Sequence, residues 1–214
     1  KQKTAYEIGV RLVGSEMCIR DRPWTCPWSK RAALGGQALR ETLWVFGYGS
    51  LLWNPEFPVA DRRIARAAGW HRSFCMRSIH HRGTVADPGL VLALDRATGA
   101  ACDGVAFAVE AGAEDATIAA LRERELISSA YLETTLPLDT AEGRITALAY
   151  VIDPDHNQYC GGLALEEQAQ IIARARGGRG RNCDYLWSTA AHLAELGIAD
   201  ADLEWLAARV RALA

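Results

Sequence analysis

Hydrophobic and polar positions change their rhythm along this chain, and the changes mark out its elements. From Leu43 the run "LWVFGYGSLLW" is apolar and rich in β-formers until glycines interrupt it, which predicts a buried strand ending in a tight turn. The segments "GWHRSFCMRS", "LVLALD", "DGVAFAVE", "AYLETTLPL" and "RITALAYVID" predict further strands. Among them, "AEDATIAALREREL" carries a helical period, with acids in its first turn where they suit the helix dipole. Beyond Pro154 the period becomes helical in "LALEEQAQIIARAR", "CDYLWSTAAHLAELG" and "ADLEWLAARVRAL". Gly197 is placed to stop the second of these helices and Asp200 to cap the third. Strands crowd the first half without regular alternation with helices. That predicts an α+β fold with a mixed or antiparallel curved sheet and a helical C-terminal third, rather than a doubly wound sheet.

Residues 1–43 lack this texture. The first 22 show no sustained helical or strand period, and "PWTCPWSKR" reads as loop. The string "AYEIGVRLVGSEMCIRDR" resembles the conceptual translation of sequencing-adapter DNA. Residues 1–43 are therefore expected to be an extension outside the fold, and residues 44–214 a single domain.

Composition narrows the class. With 214 residues, half of them hydrophobic, the chain is long enough for one substantial core. A net charge of -2 gives no global pull toward nucleic acid or an acidic membrane. No apolar run approaches the ~18 residues of a membrane span, and the N-terminus lacks a secretory apolar region with a cleavage site, so a cytoplasmic location is expected. The six cysteines form no CxxC pair and fall at no zinc-finger spacing, so neither a metal nor a disulfide framework is expected. "RARGGRGRN" contains one RGG string, but no aromatic interrupts its arginines, and nucleic-acid binding is not expected.

The candidate chemistry begins with a misplaced carboxylate. At ~100° per residue, positions four and seven apart share a helix face. Glu125 lies four residues after Leu121 and seven after Ile118, inside the apolar stripe, whereas Glu123 lies on the opposite side. A carboxylate facing a core needs partners or a raised pKa, so Glu125 is either an ion-paired helix end or a general acid/base.

A second candidate is "GYGSLLW", Gly47 to Trp53. It is not a dinucleotide fingerprint, because Leu52 occupies the third glycine position and "NPEFP" follows where a helix would have to start. No GxxxxGK[ST] occurs. What remains is a strand and a glycine turn with Tyr48 and Ser50, which serves either as a plain connection or as a cradle of backbone N–H groups for a carboxylate or oxyanion. Arg72, His80, His81 and Arg82 form a basic group that either meets substrate carboxylates or, for at least two of its members, is solvated loop charge. Tyr131 either hydrogen-bonds a ligand or is a satisfied core tyrosine.

Taken in order, "WVFGYGSLLW", "HHRGT", "LREREL" with its following tyrosine, and "GRNCDYL" resemble the ChaC-like family of γ-glutamylcyclotransferases, those specific for glutathione. The resemblance runs from about Trp44 to Leu206. It implies a small β-barrel flanked by helices and an intramolecular cyclisation without metal or cofactor. The α-amine of a γ-glutamyl group attacks its own γ-carbonyl, and glutathione yields 5-oxoproline and cysteinylglycine. The family's catalytic glutamate falls in the arginine-glutamate pair, here Arg124 and Glu125. The same resemblance assigns substrate binding to Gly47, Tyr48, Gly49, Ser50, Leu51 and Leu52, and brings Asn182 and Tyr185 of "GRNCDYL" to the site beside Arg82 and Tyr131. Asn182 is also open to reading as a helix cap. Glu125 is followed by "LISSAY" where the animal-type pattern has a short glycine pair, so the chain is similar to the bacterial form. Two other functions compete: the same chemistry on other γ-glutamyl amines, and a non-catalytic module that binds a γ-glutamyl ligand or a partner on the same barrel.

Overall fold

The computed structural model describes residues 42–214. The expectations for residues 1–41, with Cys18 and Cys26, lie outside the described residues. Five strands close into a barrel in the order β1-β3-β2-β4-β5: β1 (Trp44–Gly47), β2 (Val59–Ser78), β3 (Gly89–Val109), β4 (Tyr131–Thr140) and β5 (Gly143–Ile152). Every pairing is antiparallel except that of β1 with β5, which meet parallel at Val45 and Leu148. The mixed barrel expected from the sequence is thus the fold. Its helices are α1 (Glu114–Glu125), α2 (Leu165–Arg174), α3 (Asn182–Glu195) and α4 (Ala201–Leu213).

The pattern missed the length of the central hairpin. β2 starts well before "GWHRSFCMRS", and "LVLALD" and "DGVAFAVE" are the two halves of one long strand, β3. In the outer half of β2 the inward positions are alanines, Ala65 and Ala67, and the outward ones include arginines. Small side chains give little alternation in hydrophobicity. The arginines are held by local partners: Arg66 makes a bidentate pair with Asp103 at 2.7 Å, and Arg63 lies over the Trp44 ring. Three register shifts, one beside Gly69 at φ +80°, bend the ribbon far enough for the barrel to close.

Two cores result. Phe46, Trp70, Leu94, Leu136 and Leu138 fill the barrel. Outside it, α2, α3 and α4 bury Ile172, Leu186, Leu193, Leu203 and Leu206 against Phe74, Leu90 and Phe107 of the hairpin. Asp200 caps α4 as expected, its side chain accepting from Leu203 N–H at 3.0 Å, and Gly197 at φ +70° ends the preceding helix. Leu52, expected at the site, is buried in the helical core and lines neither cavity described below.

Arg72 also leaves the group in which the sequence placed it. It is 3% exposed, and its Nε and Nη2 donate to Asp200 Oδ2 at 2.9 and 2.7 Å. Nη1 donates to the Tyr48 and Asp103 carbonyls at 3.1 and 2.9 Å. A single guanidinium therefore joins the α4 cap to the turn after β1.

Candidate active site

The strand β1 ends where its backbone must pass close to β3. A Cβ on Gly47 would come within 2.8 Å of the Phe107 ring, so glycine is required by space rather than by dihedral angle. The chain then makes a 3-10 turn over Ser50–Leu52, closed by Leu52 N–H on Gly49 O at 2.9 Å. N–H groups ahead of such a turn have no partner within it. Gly49, Ser50 and Leu51 line an inner cavity of about 40 Å³ at the barrel mouth, walled by Tyr48, Tyr131, Tyr150 and Tyr185. A larger outer cavity, about 240 Å³, continues from it. Ser50, Glu125, Tyr131 and Tyr185 line both.

Glu125 is the last residue of α1. Leu121 is buried on the same face, Ile118 packs on that core, and the side chain of Glu125 is 17% exposed, as its place in the apolar stripe requires. Glu123 is exposed. Among the described residues Glu125 is the sole carboxylate lining either cavity. Burial raises its pKa above the ordinary 4.5, and the carboxylate of Glu56 pushes the same way; the Arg124 and Arg179 charges oppose these without cancelling them. The carbonyls of a helix C-terminus also disfavour a carboxylate.

Arg124, beside Glu125, is the link that sequence reasoning left without a role. Its Nε lies 3.1 Å from Glu125 Oε1, and Nη2 donates to Ser50 Oγ at 2.9 Å. Nη1 donates to Asn54 O at 2.7 Å and Glu56 Oε2 at 3.0 Å. The end of α1 is thereby fixed against the glycine turn. No local pattern signals this, because all three acceptors lie about seventy residues away in the chain.

The tyrosines supply neutral hydroxyls. Tyr131 donates to Leu92 O at 2.8 Å while its ring lines both cavities, so it is satisfied and still placed at the site. Tyr48 donates to Tyr150 O at 2.7 Å. Burial raises the pKa of Tyr48, Tyr131, Tyr150 and Tyr185, and none is poised to act as a phenolate base near neutrality. The thiols do not compete: Cys75 is pushed up to about 12 and Cys102 to about 11 by burial. Among the described residues no group of three or more His, Cys, Asp or Glu side chains is arranged to hold a metal.

Arg82 lines the outer cavity with its guanidinium 5.5 Å from the Tyr185 ring centroid and Nη1 donating to Arg179 O at 2.7 Å. His80 and His81 share that wall. Asn182 lines neither cavity and makes no cap. Fully buried, it accepts from Leu90 N–H and donates to Leu90 O, both at 2.7 Å, standing in for a neighbouring strand at the start of β3. Asn182→Ala would leave two buried backbone groups unpaired. Urea denaturation is expected to show a loss of about 2–4 kcal/mol.

The closed mixed barrel flanked by helices is a γ-glutamylcyclotransferase-like fold. The yeast γ-glutamylcyclotransferase specific to glutathione superposes with a TM-score of 0.72 at 22% identity, covering 80% of this chain and 96% of that one. The family model described as ChaC-like protein matches residues 43–213. The glutathione-specific γ-glutamylcyclotransferase of Escherichia coli is 37% identical over 172 residues, 80% of this chain and 74% of the relative. Gamma-glutamylcyclotransferase 2-3 of Arabidopsis thaliana is 35% identical over 176 residues, 79% of this chain and 88% of the relative. The chain belongs to the ChaC-like family.

Proposed function

We infer that the protein is a glutathione-specific γ-glutamylcyclotransferase that releases 5-oxoproline and cysteinylglycine, with Glu125 as its general acid/base. The observation that carries this reading is the position of Glu125, among the described residues the one carboxylate at the junction of the two cavities, with a raised pKa and a restraining arginine. An α-ammonium has no lone pair and must lose a proton before it attacks. A carboxylate whose pKa is lifted toward neutrality accepts that proton well and can afterwards return it.

In this reading the γ-glutamyl head enters the inner cavity and its carboxylate meets the N–H groups and hydroxyl around Gly49 and Ser50. Glu125 takes a proton from the α-ammonium, and the amine nitrogen bonds to the γ-carbonyl carbon. The carbonyl oxygen gathers negative charge against the backbone N–H groups of the turn. As the tetrahedral centre collapses, the bond to the cysteinyl nitrogen breaks and Glu125 returns the proton to that nitrogen. The second proton of the ring nitrogen passes by way of the same carboxylate to the released amine, leaving a neutral lactam and a protonated amine. Ring closure is unimolecular, so holding the substrate folded in attack geometry supplies much of the acceleration. A cytoplasmic site of action fits this substrate, and among the described residues no helix is long and apolar enough to cross a membrane.

The test is product analysis after incubation with reduced glutathione, with γ-glutamylalanine run in parallel. Equimolar 5-oxoproline and cysteinylglycine are expected from glutathione, with γ-glutamylalanine much slower. Glu123→Gln should match wild type, because Glu123 faces away from both cavities. No 5-oxoproline from folded protein would refute the assignment, and equal turnover of both substrates would refute its glutathione specificity.

A further inference from the structure

The "RARGGRGRN" string forms a tight hairpin, β6 (Arg176–Gly177) with β7 (Gly180–Arg181), beside the outer cavity. The hairpin is held by main-chain bonds: Gly178 N–H donates to His80 O at 2.9 Å and Arg179 N–H to His81 O at 2.8 Å. Arg82 clasps it from the other side through the Arg179 and Arg181 carbonyls at 2.7 and 3.2 Å. Gly177 is packed so closely that a Cβ there would come within 2.6 Å of the His81 carbonyl. The backbone of Arg179 is thus set at a defined place on the cavity wall, with its side chain exposed.

The charges of the cavity do not balance from within. Among the described residues its three arginines are Arg82, Arg124 and Arg179, and its one carboxylate is Glu125. Arg124 is already paired with Glu125 and Glu56, and Arg82 is engaged with carbonyls. Arg179 forms no ion pair among the described residues. Its charge is nevertheless felt at Glu125, and with burial it holds the His81 pKa below the usual value. A concave, half-open site with surplus positive charge suits an anion.

We propose that Arg179, carried by the β6–β7 hairpin, is the subsite for the terminal carboxylate of a γ-glutamyl tripeptide and sets the preference for glutathione over shorter γ-glutamyl compounds. This rests on the γ-glutamylcyclotransferase reading of the site. With the reacting carbonyl at Glu125, two further residues of extended chain reach up to about 7 Å along the outer cavity, which Arg179 also lines. The carboxylate of γ-glutamylalanine stops one residue short.

The test compares glutathione with its glycine amide, identical except for the terminal charge, in wild type, Arg179→Gln and Arg179→Lys. Wild type is expected to favour glutathione in kcat/KM by about tenfold, mainly through KM, as befits one charge-assisted contact near solvent. Arg179→Gln should bring the ratio near one, and Arg179→Lys should keep most of it. Rising salt should erode the wild-type ratio. A ratio near one in wild type, or one that Arg179→Gln leaves unaltered, overturns the subsite while leaving the cyclotransferase reading intact. Absence of 5-oxoproline from both substrates in wild type overturns both.

Discussion

Glu125→Gln should lower kcat for 5-oxoproline release from glutathione by about 10³-fold, the scale on which one general acid/base contributes, and leave KM close to wild type. The substitution preserves shape and removes only the capacity to take and return a proton. A second, independent sign accompanies the loss. The pKa of Glu125 is raised in the folded protein, so its contribution favours the fold below the unfolded value near 4.5 and is lost as pH rises through the folded value. At neutral pH the wild-type protein thus bears the cost of a desolvated carboxylate that glutamine does not carry, and the weaker loss of the Arg124 pair only partly offsets the gain. The melting temperature of Glu125→Gln should equal or exceed that of wild type at pH 7, with the advantage fading below about pH 4.5. An inactive but less stable variant at pH 7 would point to a structural ion pair instead of a catalytic group.

The second large effect is structural. Arg72→Ala takes the charge partner from Asp200, whose side chain is 15% exposed, and removes the guanidinium donor to the Tyr48 and Asp103 carbonyls. Removing one member of a buried pair costs about 3–5 kcal/mol, and the urea midpoint should fall accordingly. Lysine should rescue little, because an ammonium cannot reproduce the forked geometry that spans the carboxylate and two carbonyls. Asp200→Asn combined with Arg72→Ala should cost less than the sum of the two, since they remove the same interaction. A loss under about 1 kcal/mol for Arg72→Ala would show that solvent replaces the guanidinium at this junction.

Arg72 also marks a limit of what sequence conveys. It precedes His80, His81 and Arg82 closely in the chain, yet those three line the outer cavity and Arg72 turns to the α4 cap. Proximity along a bulged strand says little about which side a residue serves. The RGG string shows the converse: its composition suggests a solvated basic segment, and its place in the molecule depends on main-chain bonds to residues about a hundred positions away. Asn182 was legible as important but not as the surrogate strand partner of Leu90, a role that needs the tertiary fold. Leu52 belongs to the motif around the turn but is core, because one step along a 3-10 turn moves a side chain from the cavity to the helices behind it.

The features that sequence did convey are periodic ones. α1, α3 and α4 follow their apolar stripes to within a residue or so of the expected ends. Glu125 emerged from the same geometry, as the polar residue that breaks an apolar face. Arg124, which holds that carboxylate, and Arg179, which lines the same outer cavity, break no period and left no such mark.

The most direct measurement is the titration of Glu125 itself, followed through its ¹³C-labelled carboxyl by NMR in the free protein and set against the acid limb of kcat/KM for glutathione. The two should coincide at a pKa above 4.5, with activity rising as the carboxylate forms and the NMR transition absent from Glu125→Gln. A Glu125 that titrates at or below 4.5, or an acid limb that persists unchanged in a residually active Glu125→Gln, would contradict its role as the general base.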